Sequence, residues 1–68
     1  NHRVPLWRGL FLRWLREDHH LALVHLESLA MDLPAECHGA PQPGDGVLVR
    51  VREVDPLRDL LRLDARCL

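Results

Sequence analysis

"GDGVLVRVREVD", residues Gly44–Asp55, leaves a glycine-rich turn and runs into a strict alternation. Val47, Val49 and Val51 fall on one side of an extended chain, and Leu48, Arg50 and Arg52 on the other. Valine is β-branched and fits a pleated, half-buried surface. The stretch therefore predicts a strand over Val47–Val54 with its valine face turned to a core.

Three breaks divide the rest of the chain. "GAPQPGDG" (Gly39–Gly46) is a Pro/Gly loop, "REDHH" (Arg16–His20) a polar gap between apolar runs, and "DPLRD" (Asp55–Asp59) a shorter gap. They leave a stub over Val4–Trp7 and segments over Leu10–Leu15, Leu21–Leu26 and Leu60–Ala65. Leu10–Arg16 alternates, with Leu10, Leu12 and Trp14 on one side and Phe11 and Arg13 on the other. Trp7, Leu10, Phe11, Trp14 and Leu15 also fit helical spacing. Asp55 as an N-cap with Pro56 at the first helical position leaves a helix open for the last segment. "SLAMDLPAECHG" (Ser28–Gly39) is too irregular for a strand and predicts one helical turn stopped by Pro34.

A chain of 68 residues makes one domain with a small core. At 47% hydrophobic residues it is globular and not a disordered tail. It has no apolar run long enough to span a bilayer and no signal-peptide layout at its start, which predicts a soluble, cytoplasmic protein. It begins at Asn1 without an initiating methionine, and the expectation is a piece of a longer chain with its first strand truncated. Cys37 and Cys67 belong to no CxxC unit and read as free thiols. Nine basic against ten acidic residues give a net charge of −1, so no global field attracts nucleic acid. All nine basic residues are arginines, which stack on bases as well as pair with phosphates.

Four windows in register resemble the S-one RNA-binding domain, the family named after the ribosomal protein. "GLFL" (Gly9–Leu12) is similar to the family's "GAFV" strand, and "ALVHLESL" (Ala22–Leu29) to its "GLVHISEL" strand. "GDGVLVRVREVD" matches its "G-x-x-V-x-V-K-V-x-x-V-D" element, and "RLD" (Arg62–Asp64) its closing "RLS". Coverage runs over roughly residues 7 to 65. The resemblance implies an all-β fold: a single domain over residues 1–68, a small five-stranded OB-fold barrel with a short helical turn between the third and fourth strands. It makes Leu60–Ala65 the last strand. The "FLRWLRED" stretch and the end soon after the last strand are most similar to the C-terminal module of RNase II/RNase R-type exoribonucleases. The implied partner is single-stranded RNA, with the module joined to a catalytic domain.

The chain also departs from the family. Arg8 stands where an aromatic commonly precedes the second-strand glycine, and Ala22 replaces the third-strand glycine. The loop after Asp55 lacks its usual glycine, leaving Arg58 as the nearest counterpart of a family arginine. Pro5 is unusual in a first strand unless that strand lies at an edge.

Single-stranded RNA is held by stacking flat side chains on its bases. The resemblance places Phe11 and His25 at outward stacking positions on adjacent strands. Arg13 would reach a phosphate, Arg8 would stack in place of the missing aromatic, and Arg58 and Asp55 would complete the site. Trp7 either extends the aromatic platform or closes the barrel, and Trp14 reads as core. Arg50, Arg52 and Arg62 read as a solvated face. No cofactor or metal is expected: His19-His20 and Cys37-His38 lack structural zinc spacing. Ser28 and His25 form no triad, and the chain has no threonine or tyrosine, so no catalytic residue is expected. A barrel that binds protein instead of RNA is the alternative, favoured by Arg8 and the acidic balance.

Overall fold

The computed structural model describes residues 5–68 and contains five strands. They are β1 (Leu6–Trp14), β2 (Leu21–Leu26), β3 (Met31–His38), β4 (Gly46–Asp55) and β5 (Leu60–Cys67). In space they close in the order β1-β2-β3-β5-β4. All pairs are antiparallel except β3 with β5. This all-β closed barrel is the small OB-type architecture expected from the sequence. Among the described residues no helix is long and apolar enough to cross a membrane.

Two expectations change in detail. The stub and the Leu10–Leu15 segment are one strand, β1; Val4 lies outside the described residues. The fifth strand comes instead from Met31–His38, where a helical turn was expected. Turn geometry is confined to residues 26–30, where Leu29 N–H donates to Leu26 O and Ala30 N–H to Glu27 O, both at 3.3 Å. Pro34 does not break the strand. The ladder from β3 to β5 begins only at Glu36, so Pro34 has no strand on that side to receive a missing N–H.

The one helical turn among the described residues is a 3-10 turn at Pro56–Arg58, between β4 and β5. Asp55 caps it by accepting from Arg58 N–H at 3.3 Å, and Asp59 ends it in the left-handed region at φ 50°. The N-cap and proline that left a long helix open therefore start a turn of three residues. Leucines from Leu60 onward then pair as a strand.

The core is one row from each strand: Phe11, then Ala22, Val24 and Leu26, then Ala35 and Cys37, then Val47 and Val49, then Leu63 and Ala65. The valine alternation points inward as expected. Phe11 does not follow the expected parity; it is 2% exposed and faces Val24 across the β1–β2 ladder. The reason is a β-bulge. Phe11 pairs with Val24 but Arg13 pairs with Leu23, which leaves Leu12 as an extra residue. Before the bulge the odd positions Gly9 and Phe11 point in; after it Trp14 does, opposite Ala22. Phe11 and Trp14 thus both reach the interior, with ring centroids 5.1 Å apart in edge-to-face contact.

Gly9 sets the distance between β1 and β2. A Cβ there would stand 2.8 Å from the carbonyl oxygen of His25, a backbone atom that cannot swing aside. At Gly44 the constraint is conformational: φ is 90°, and its N–H donates to Phe11 O at 2.8 Å, tying the Pro/Gly loop to β1.

Candidate functional site

On β2 the alternation is unbroken. Ala22, Val24 and Leu26 are buried, so Leu21, Leu23 and His25 face outward. His25 pairs with Leu10 on one side and Asp32 on the other. Its Nδ1–H donates to Asp32 Oδ1 at 2.6 Å, with the His25 side chain 36% exposed. A short charge-assisted hydrogen bond fixes the ring's orientation and leaves Nε2 and the ring face for a ligand.

Arg8 and Arg13 are exposed on β1, with Arg13 beside Leu23. Half-buried Leu10, Leu12 and Leu23 lie between them and His25. The structure thus gathers Arg8, Arg13 and His25 on one outer ribbon. Phe11 is absent from it, because its ring is in the core. Trp7 is on the inner side too: it pairs with Val49 and packs half-buried against the core, closing the barrel. Asp55 and Arg58 lie elsewhere. They sit at the β4–β5 turn, ion-paired at 3.7 Å, and Asp55 is paired to Leu60. Leu60 lines a groove together with Leu21, which is four positions, roughly 13 Å, along β2 from His25.

Charge is distributed unevenly. β1 and β2 contain no carboxylate. The arginines of β4 and β5 are mostly neutralised: Arg50 by Asp64 at 3.5 Å, Arg52 by Glu36 at 3.0 Å, and Arg62 by Glu36 at 2.8 Å and Glu53 at 3.5 Å. The hydrogen bonds that Arg62 donates to Glu36 also push its guanidinium further toward the charged form. Among the described residues Arg8, Arg13, Arg16 and Arg66 have no such partner, and Arg8 and Arg13 give the β1–β2 ribbon uncompensated positive charge although the net charge is −1.

Two features had no signal in the sequence. An open groove of about 430 Å³ lies where β3 and β5 splay apart, lined by Arg16, His20, Pro34, Glu36, Leu61 and Arg62 among others. The imidazole of His19 is stacked on Trp14. Residues of the groove come from four separate stretches, and no local spacing links them.

Cys37 and Cys67 are free thiols, as the sequence indicates, but they are neighbours: each Sγ lies 3.9 Å from the His38 carbonyl oxygen. Burial, with smaller contributions from Cys67 and Asp64, raises the Cys37 pKa above its ordinary value. Among the described residues no group of three or more His, Cys, Asp or Glu side chains is placed to hold a metal ion.

Strand order, the parallel β3–β5 closure and the outer groove define a barrel of the OB class, whose outer strands and β1–β2 and β4–β5 loops commonly carry ligands. A protein of Synechocystis sp. (strain ATCC 27184 / PCC 6803 / Kazusa) named as an uncharacterized ribonuclease is 44% identical over 57 residues, or 84% of this chain. The chain spans 9% of that protein's length. No protein-family model matches the chain. No solved structure matches it.

Proposed function

We propose that this chain is a single-stranded RNA-binding module of the S-one type, the accessory C-terminal domain of a 3'-5' exoribonuclease of the RNase II/RNase R type. The observation that carries the proposal is the acid-free β1–β2 ribbon, where Arg8 and Arg13 are uncompensated and His25 is held outward by Asp32. Arginine contributes phosphate pairing and the His25 ring contributes a stacking face, two of the interactions by which single-stranded RNA is held. The relative's name supports the same reading, and its length is consistent with catalysis residing in other domains of a longer chain. In this module the protein supplies grip and orientation, and RNA hydrolysis belongs to the catalytic part.

One observation favours a second reading, a protein-binding barrel. Val54 and Leu61 pair across β4 and β5 at 58% and 51% exposure, and Leu57 at the adjoining turn is 98% exposed. An apolar tip of this kind is a docking feature when it is covered.

Fluorescence anisotropy with labelled single-stranded RNA separates the readings. Wild type should bind, and His25→Ala should weaken binding by about 1–3 kcal/mol with little change in melting temperature. Absence of binding at low salt would leave the protein-docking reading.

A further inference from the structure

The β1–β2 loop presents an aromatic surface that the ribbon described above does not include. The imidazole of His19 lies on the indole of Trp14 with centroids 5.0 Å apart and planes 10° from parallel. Trp14 also makes an edge-to-face contact with the buried ring of Phe11. Exposed His19 thus lies on a tryptophan that is anchored to the core. One face of the imidazole lies against Trp14, and the residue as a whole is exposed.

The backbone holds His19 in place. Its φ of 57° is left-handed, a conformation uncommon outside glycine, and its N–H donates to Arg16 O at 3.2 Å. On its far side His20 N–H donates to Asp18 Oδ1 at 3.1 Å, and His20 O accepts from Cys37 N–H of β3 at 2.9 Å. Leu15 N–H closes the loop on Leu21 O at 2.8 Å. A loop backbone held in this way, with the imidazole against Trp14, loses little freedom when a ligand covers it.

We infer that the face of His19 away from Trp14 is a base-stacking subsite: a nucleobase of single-stranded RNA adds the next layer to the Trp14–His19 stack, and Arg16 meets the adjoining phosphate. The inference rests on the RNA-binding reading above and extends the path of the strand. From Arg13 and His25 on the ribbon, RNA would pass over the loop toward the groove that Arg16 and His20 line. A flat ring beside Arg16 suits a base and its phosphate, although the exposed carboxylates of Glu17 and Asp18 share the loop. His19 is the contact residue, and Trp14 is a positioning residue that acts through it.

The test is anisotropy titration of labelled single-stranded oligoadenylate against the 68-residue chain and two variants. His19→Asn keeps a residue that tolerates left-handed backbone and removes the ring. It should bind about 5- to 150-fold more weakly than wild type, with an unchanged thermal melt. His19→Phe keeps a stacking face without ring nitrogens and should retain affinity within about threefold. Equal binding by wild type and His19→Asn, while His25→Ala is weakened, would overturn the subsite and leave the ribbon standing. Equal loss in the Asn and Phe variants, both with the wild-type thermal melt, would overturn stacking, because the ring nitrogens would then be what RNA requires. If wild type itself binds no RNA, the RNA-binding reading fails and the subsite falls with it.

Discussion

Phe11 faces Val24 across the β1–β2 ladder inside the barrel, in alternation with Trp7 and Gly9, and Trp14, three residues on, turns inward as well. A single extra residue, Leu12, lets both aromatic rings reach the interior, where unbroken alternation would admit only one of them. His25 is then the ring that β2 offers on the outside, opposite Leu10.

Phe11→Ala should therefore unfold the domain and not merely weaken a ligand. Truncating a buried phenylalanine costs about 3–5 kcal/mol, a large part of the total stability of a small domain. A thermal melt followed by circular dichroism should show the transition lowered far below wild type or lost. A variant with the wild-type melt and weakened RNA binding would place the ring outside.

Gly9→Ala sets two effects against each other. Replacing glycine in a strand ordinarily gains about 0.5–1 kcal/mol, because the unfolded chain loses freedom. Here the new Cβ would meet His25 O at 2.8 Å, so β1 and β2 must spread and the ladder loosens. The contact should win. Denaturant titration is expected to show a lower midpoint than wild type, and an unchanged or higher midpoint would refute this account of the strand spacing.

Salt dependence should report which arginines are free. Each phosphate contact on a single strand contributes about −0.7 to the slope of log affinity against log salt. Replacing Arg8 and Arg13 together by glutamine should reduce the slope's magnitude by about 1.4 if each meets one phosphate. Arg50→Gln should leave it unchanged, because Asp64 already holds that guanidinium. The measurement is a set of RNA titrations over a range of salt; an equal effect from Arg50→Gln would show that the ion pairs do not partition the arginines in this way.

Cys37 should make the domain less stable in alkali. Its native pKa is raised, mainly by burial, above the ordinary 9.0. Below that value both states keep the proton and the contribution is fully present. As pH climbs past it the unfolded chain releases the proton first, and stability is lost until the raised native value is passed. Urea midpoints at about pH 8 and about pH 10 should fall in wild type, and fall less in Cys37→Ala, although that variant starts lower because it leaves a cavity. At about pH 8, alkylation should reach exposed Cys67 well before Cys37.

The sequence by itself determined the elements whose periodicity is uninterrupted. Val47, Val49 and Val51 point to the core because a strand repeats every two residues, whereas β2 is apolar in both of its rows and the outward place of His25 followed only from the family resemblance. The cap at Asp55 and Pro56 was equally legible, although its length was not: a capping signal marks where a turn starts, while the pairing of Leu60 onward with β4 decides where it stops. Tertiary structure decided the rest. The bulge at Leu12 follows from fitting β1 against both β2 and β4 in a closed barrel, which no local spacing records. Met31–His38 became a strand because β2 supplies a partner along most of its length and the gap before Glu36 accommodates Pro34. Which arginines remain uncompensated depends on Glu36 meeting Arg52 and Arg62, and on Asp64 meeting Arg50, across strands distant in sequence. Periodicity is a property of neighbours along the chain; the bulge, the groove and the ion pairs are properties of barrel closure, which brings together residues that no local pattern connects.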